Sequence, residues 1–422
     1  MVDSGRWFER KPGKQFRCRY KCKKAHMKKT PKASLLKKTI AVSLAFPVLT
    51  PFGFAQEGEG LPALASFGPF DVNASLFVRS VYDDNIFLAP SNVKTRDVVT
   101  SVSPSMQVRY GEQGYSSAKL DYTPTFQFFK DNGNNDAINH DARFQVEKTF
   151  TRLTVGLSQS FTRISDSAIG VTTGQFSPTR LEQDTFATRL LTKYDYSDKT
   201  SFEANGQFNV LDFAAAGLIS SKEYVSDNWI NYKATGKITT SAGLTFGYLD
   251  LSGGQPSQTY ERGLVRMTYD AAGKLQFRAT GGVEFRQMGG GKSDQVLPIF
   301  SIGATYRPLD STTITLDASR AQTYAIQNVG QNLTTTGVSA EIRQEVMRKL
   351  TVYFGGGFYN TEYTPGDRSD DYYTLKYGVD FKATSRITVG AFHLYRDNAA
   401  TGNGIVSSFR NHQFGVQASA AF

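Results

Sequence analysis

His412-Gln413-Phe414-Gly415-Val416-Gln417-Ala418-Ser419-Ala420-Ala421-Phe422 is the last stretch of the chain. His412, Phe414, Val416, Ala418, Ala420 and Phe422 fall on one side of an extended backbone, and Gln413, Gly415, Gln417 and Ser419 on the other. Side chains of a strand alternate between faces, so this segment has one apolar and one polar surface. The same period of two recurs upstream. Ser201 to Val210 sets Phe202, Ala204, Phe208 and Val210 against Glu203, Asn205, Gln207 and Asn209. Tyr372 to Lys382 sets Tyr373, Leu375, Tyr377, Val379 and Phe381 against Thr374, Lys376, Asp380 and Lys382. One such strand fits a water-soluble sheet as well as a membrane wall, so the connections must decide.

Eighteen strands are predicted, over 71–82, 97–109, 115–128, 138–150, 152–164, 183–196, 199–211, 223–235, 237–250, 257–270, 273–287, 296–307, 311–323, 334–347, 349–362, 371–383, 386–397 and 408–422. The stretches 223–235 and 257–270 alternate poorly, which leaves 16 as the alternative count. Short joins (Thr151, Ser197-Asp198, Gly236, Ala271-Ala272, Arg348, Thr384-Ser385) alternate with long ones (83–96, 165–182, 212–222, 288–295, 324–333, 363–370, 398–407). Short periplasmic turns and long external loops on an even number of strands of about 10 residues mark the transmembrane β-barrel. Within lipid every backbone N–H and C=O needs a partner from the protein, which helices and closed sheets alone provide. The expected fold is all-β, an antiparallel up-and-down transmembrane barrel over 71–422. Pro124 cannot donate to a ladder, so a bulge or a break is expected there.

Bulk composition agrees. The 422 residues include 38 Gly, 21 Tyr and 31 Phe, yet mean hydropathy is −0.35, as when a polar lumen dilutes an apolar band. No run past residue 56 approaches the ~20 apolar residues of a membrane-spanning helix. The formal charge of +10 is misleading, because residues 1–55 hold 14 of the 48 basic but only 2 of the 38 acidic residues. The remainder is slightly acidic, and no basic patch argues for nucleic acid. Lys37-Lys38, the apolar run Thr39 to Leu49 and the exit Gly53-Phe54-Ala55 predict a signal peptide over 1–55, cut before Gln56, with Met27 as an alternative start. A short periplasmic segment over 56–70 would precede the barrel, leaving no length for a plug or passenger domain. Both cysteines, Cys18 and Cys22, lie in the leader; no second ligand pair follows to complete a four-ligand zinc site. A cysteine-free mature chain suits an oxidising compartment.

Tyr82, Phe87, Tyr110, Phe128, Phe150, Phe161, Tyr194, Tyr248, Tyr269, Tyr306 and Tyr395 recur near strand ends and are expected to form interfacial girdles. Phe77, Tyr353, Tyr359 and Phe392 phase to the polar side, which is read as imperfect register in preference to a sugar-stacking track. Charged residues phase to the same side, where they avoid the ~2–4 kcal/mol cost of facing lipid at midplane. Arg189, Lys193, Lys274, Arg278, Glu284, Arg286, Glu341, Arg343, Lys376 and Asp380 are the pore-lining candidates. They would form either a lattice of cross-strand ion pairs or a selective constriction, and Lys274, Arg278 and Arg286 on one strand would suit anionic solutes. Asp131 to Asp136 lacks the spacing and following glutamate of a calcium loop. His140, His393 and His412 stand beside no nucleophile or carboxylate pair, so no enzyme, cofactor or metal site is expected.

Tyr82-Asp83-Asp84-Asn85-Ile86-Phe87, directly after the first strand, is the most distinctive local string. It resembles a string near the start of a family of β-barrel porins associated with exopolysaccharide or capsule production and export. That resemblance implies an outer-membrane barrel over about residues 70–422, with polysaccharide or export components as partners. The residues themselves suggest a turn between two ring anchors. The terminal Phe422, with Phe414 on the same face, resembles the assembly signal of bacterial outer-membrane barrels, which implies the barrel assembly machinery as a partner. The function expected is a porin-like channel in a Gram-negative outer membrane, in contact with lipid and lipopolysaccharide. The alternative is a structural or adhesive barrel with an occluded lumen.

Overall fold

A computed structural model describes residues 64–422, apart from 113, 168–179, 272, 328–329 and 403–407. The signal peptide and most of the 56–70 segment therefore lie outside the described residues. The strands run β1 Ala65–Phe67, β2 Phe70–Asp83, β3 Asp97–Glu112, β4 Ser116–Phe129, β5 Ala137–Thr149, β6 Leu153–Asp166, β7 Leu181–Asp195, β8 Thr200–Phe213, β9 Ser221–Lys233 and β10 Ile238–Leu251. They continue β11 Gln258–Ala271, β12 Leu275–Gln287, β13 Gln295–Tyr306, β14 Thr312–Tyr324, β15 Asn332–Met347, β16 Leu350–Thr364, β17 Ser369–Lys382, β18 Ile387–Thr401 and β19 Phe409–Ala421.

Each of β2 to β19 pairs antiparallel with its sequence neighbours, and β19 closes on β2 through Gln413↔Asp83 to Ala421↔Ser75. The result is a closed barrel of eighteen strands. The count of 16 is thus excluded, and every predicted strand has its counterpart within a few residues. Strand β1 lies outside the cylinder. It pairs Ala65 to Phe67 with Val72 to Phe70, on the short stretch of the β2 edge that β19 leaves uncovered. Phe422 extends that seam by donating its N–H to Ala74 O at 2.9 Å.

The connections keep their predicted alternation. One end of the barrel carries turns such as 196–199, 348–349 and 383–386; the other carries 84–96, 167–180 and 325–331. Several long joins are shorter than expected because the strands extend further than the alternation indicated, so that β16 and β17 are linked by 365–368 alone.

Pro124 breaks the ladder without a bulge. Register between β3 and β4 runs from Val99↔Phe129 to Val102↔Phe126, lapses, and resumes unshifted at Met106↔Tyr122. Pro104 and Pro124 face each other inside the gap, so both strands lack a donor there. Side chains take over: Ser103 Oγ and Thr125 Oγ1 lie 2.8 Å apart, and Thr123 Oγ1 donates to Ser105 Oγ at 2.8 Å.

The two faces of the wall separate by exposure. Leu244, Val265, Phe285, Val338, Phe354 and Val416 stand exposed on the outer face, with Tyr82, Tyr110, Phe128, Phe150, Tyr194, Tyr248 and Tyr306 toward its edges. The inner face carries the polar and charged side chains, a distribution that only a hydrocarbon surround makes favourable.

Candidate functional site

The candidate site is the bore, and its wall is built from glycines and rings. Five inward aromatic side chains each lie directly opposite an inward glycine on a neighbouring strand: Trp229↔Gly243, Tyr260↔Gly247, Tyr353↔Gly378, Tyr359↔Gly337 and Phe392↔Gly415. A Cβ placed on Gly243 would stand 2.5 Å from the Trp229 ring, and Cβ atoms on the other four would likewise intrude on their partners. Only a residue without a side chain lets a ring lie flat on the paired backbone. Large aromatics are thereby accommodated against the wall.

This corrects the reading of Tyr353, Tyr359 and Phe392 as products of poor register, because the register is regular and these rings do face inward. It also accounts for the weak alternation of β9 and β11. Val225 and Trp229, and Tyr260 and Leu264, put apolar groups on the wet face and blur the period of two.

Cations cover most of the rings. Guanidinium carbons stand 4.1 Å from the Trp229 centroid (Arg266), 4.3 Å and 4.8 Å from Tyr260 (Arg262 and Arg286), and 4.7 Å from Tyr353 (Arg343). Arg79 stands 5.5 Å from Phe392, and Lys376 Nζ is 5.2 Å from Tyr353 and 5.9 Å from Phe392. Each of these four rings is held between backbone on one side and a positive charge on the other, with an attraction of about 0.5–2 kcal/mol per pair. A covered ring offers no free face for a sugar to stack on.

Two charge networks differ in character. On β8 to β12, Glu284 (1% exposed) accepts from Arg262 Nε at 2.6 Å and from Arg286 Nε at 2.7 Å. Arg286 also donates to Gln258, Arg266 reaches Glu203 at 3.2 Å, and Tyr260 Oη donates to Glu223 at 2.8 Å. These charges are matched and removed from water, so they stiffen the wall. On β15 to β17, Arg343 contacts both Glu341 (2.9 Å) and Asp380 (3.6 Å), and the half-buried Lys376 lies beside them.

The pore-lining candidates thus divide. Arg286 and Glu284 are committed to each other. Lys193 pairs with Asp195 at 2.7 Å on β7, where Arg189 shares the inward face. Arg278 is inward and exposed. Lys274 sits in the turn before β12, so it does not continue a row with Arg278 and Arg286.

Exposure along the bore is graded. Toward the short-turn end Arg109, Arg143, Gln145, Gln276 and Arg278 are inward and open. At the long-loop end the mouth is roofed from two sides. The tip of the β14–β15 hairpin crosses to the β7–β10 wall, where Tyr324 and Ile326 pack with Leu181, Phe213, Ile219, Leu249 and Leu251. Ile219 N–H donates to Ile326 O at 2.9 Å, and Tyr324 Oη donates to Ser221 Oγ at 2.8 Å.

The second side of the roof is the loop 84–96, which begins in the Tyr82–Phe87 string. Tyr82 points outward, and Asp83 turns inward to accept from Asn85 N–H (2.8 Å), Asn411 Nδ2 (2.6 Å) and Gln413 Nε2 (2.6 Å). Asp84 accepts from His412 N–H at 2.7 Å and pairs with Lys94 at 2.9 Å. Asn85, wholly buried, brackets Ala89 by accepting from its N–H and donating to its C=O. That grip holds Leu88 at φ +50°, and its side chain packs on Tyr372 and Phe409. Ile86 is buried and its C=O accepts from Ser167 Oγ, while Phe87 is half-buried. The string is therefore a clasp between the first and last barrel strands, with its carboxylates occupied by N–H donors. Beside it, burial pushes the Arg180 guanidinium below its ordinary value against the pull of Asp166 and Asp83.

His393 and His412 lie on the outer face, Nε2 to Nδ1 at 3.2 Å, with the Phe414 ring 4.4 Å from His393. Phe414 and Phe422 are both exposed there. The Asp131–Asp136 loop is anchored by Asp97, which accepts from Asp131 N–H, Asn132 N–H and Asn132 Nδ2.

This architecture is that of the outer-membrane β-barrels. The chain superposes on OccK2 (OpdF) of Pseudomonas aeruginosa with a TM-score of 0.50 at 13% identity, covering 83% of this chain and 98% of that one. The outer membrane protein OpdK of the same organism gives a TM-score of 0.47 at 12% identity, covering 83% and 99%. At such identity the likeness concerns fold and not function. No protein-family profile matches the sequence, and no curated protein does. The association with exopolysaccharide export implied by Tyr82–Phe87 gains no support from these comparisons.

Proposed function

We propose that the protein is a narrow diffusion channel for small hydrophilic solutes in a Gram-negative outer membrane. The observation that supports this reading is the inner face of the wall: polar, exposed toward the short turns, with five large rings lying flush on glycines. In this class of barrel the short turns face the periplasm and the long loops the exterior. The hairpin tip at Tyr324 and Ile326 and the loop 84–96 would then narrow the outer mouth, so passage would be limited by size and by lumen charge and not by any chemical step. Phe414 and Phe422 would present the assembly signal to the barrel assembly machinery, and the apolar belt would contact lipid and lipopolysaccharide.

Swelling of liposomes containing the folded protein, in sugars of graded size, tests the reading. Influx that falls steeply from a monosaccharide to a trisaccharide supports it. Absence of swelling from protein that is folded and inserted would favour the structural or adhesive barrel. Free passage or tight binding of a polysaccharide fragment, with exclusion of monosaccharides, would favour the export role that the Tyr82–Phe87 resemblance implies.

A further inference from the structure

We propose that the outer face of β9 to β13 binds an anionic phospholipid of the membrane leaflet at the short-turn end, with its two acyl chains in two furrows of the wall and its phosphate on the lysines beside them. The furrows come from an alternation of large and small side chains across neighbouring strands. One outward row runs Ile230, Ala242, Val265, Gly281, Phe300. The next row, toward the short turns, runs Tyr232, Thr240, Met267, Ala279, Ile302. Val265 and Met267, 65% and 39% exposed, therefore make a ridge along β11, and the small residues of β10 and β12 make a furrow on either side of it. Side chains of β9 and β13 wall the outer flanks, and the whole is a groove of about 710 Å³. Toward the long loops the furrows end at Leu244 and Val283, both exposed on the next row. A hydrocarbon tail lying in a furrow touches side chains on both flanks as well as the floor, contacts that a flat wall does not give. Two furrows astride one ridge fit a forked molecule with two apolar tails.

Charge selects the head of that molecule. The short-turn ends of β9 to β13 carry Lys233, Lys237, Lys274 and Arg307 against Asp270 and Asp310, while Lys199 and Asp198 in the adjoining turn cancel. All four cations are exposed, and none of them is ion-paired among the described residues. Backbone bonds set the ends side by side: Asp270 N–H donates to Lys237 O at 2.9 Å, and Arg307 N–H to Lys274 O at 2.7 Å. Asp270 Oδ1 accepts from Gly273 N–H at 3.4 Å, within its own turn. Lys237 and Lys274 stand about 10 Å and 17 Å along the strands from Thr240 and Ala279, at ~3.3 Å per residue, so a phosphate held there heads tails lying in the furrows. Tyr232, exposed at the short-turn end of the first furrow, places that level at the membrane interface, where such rings prefer to lie. A second copy of this chain would cover the groove only by bringing two equal basic rims together, as a two-fold contact demands. The site requires the barrel and its lipid surround, and not that the bore conducts.

Native mass spectrometry of the mature protein in a neutral detergent, titrated with phosphatidylglycerol or with phosphatidylcholine of the same chains, provides the test. Wild type should bind phosphatidylglycerol roughly fivefold or more tighter, as lysines near a lipid phosphate provide. Lys237→Gln with Lys274→Gln should lose that preference and keep the affinity for phosphatidylcholine. Ala242→Leu with Gly281→Leu should weaken both lipids by filling the furrows; a Cβ on Gly281 meets nothing nearer than 3.9 Å, so the fold tolerates it. Arg348→Gln with Lys349→Gln, in the turn between β15 and β16, should retain the preference, which separates this site from the basic rim in general. Equal affinity of wild type for the two lipids, or an unchanged preference in the lysine variant, would overturn the site. So would loss of the preference in the Arg348 and Lys349 variant. A dimer that persists in both lipids and disappears in the leucine variant would assign the groove to a second copy of the chain and equally overturn it.

Discussion

At the scale of single residues, the glycines decide how much room the bore keeps. Tyr260 can lie on the wall only because residue 247 has no Cβ. Gly247→Ala should drive the ring off its seat and weaken the Arg262 and Arg286 contacts above it, at a cost of about 1–3 kcal/mol as for overpacking elsewhere. Gly263→Ala, at a glycine with nothing within 4 Å of the added carbon, should be neutral. Urea unfolding of the two variants in detergent, followed by gel mobility of the folded and unfolded forms, checks the contrast; equal midpoints would contradict it. Glu284 is the other decisive residue. Glu284→Gln strips the shared carboxylate from two buried arginines and should cost roughly 3–5 kcal/mol, the penalty for breaking a buried pair from one side. A variant with wild-type unfolding would mean that the arginines find other partners. None of these seats was legible in the chain. A glycine and an aromatic far apart in sequence declare no pairing until the register is known, and Tyr353 or Phe392 taken alone looked like an error of phase.

Among elements, the seam between β2 and β19 depends on the side chains of Asp83, Asn411 and Gln413. Asp83→Ala leaves three donors without their acceptor. It should destabilise the seam by about 1–3 kcal/mol per donor that stays buried, and should free the loop 84–96. Protease cleavage within 84–96 in intact cells, rising in the variant while the barrel band persists, is the expected outcome; unchanged protection would show that Leu88 and Ile86 hold the loop unaided. The strands themselves were readable because lipid outside and water inside impose a period of two, and the long and short joins narrowed their number to 18 or 16, a choice that barrel closure then decides. What the chain concealed was the use of each long join. Asp83, Asp84 and Asn85 announced a turn, but their grip on Asn411 and His412 follows from barrel closure, which places the two ends of the chain side by side. The hairpin tip at 324–332 read as a plain loop, since nothing local indicates that Tyr324 and Ile326 will cross the mouth to Leu249.

For the whole molecule, a closed sheet with an apolar belt and a polar bore is a statement about two solvents at once. The charge pattern separated the two faces of the wall, yet it could not tell matched charges such as Glu284 and Arg286 from exposed ones such as Arg278. That distinction depends on which strands become neighbours. The roofed outer mouth sets a further expectation, that the channel is narrow and its current small for a barrel of eighteen strands. The most direct test is the electrical conductance of the purified mature protein in a planar lipid bilayer. Discrete, long-lived, ohmic steps that scale with salt concentration are expected, whereas protein that inserts as a folded barrel and passes no current would contradict an open aqueous path.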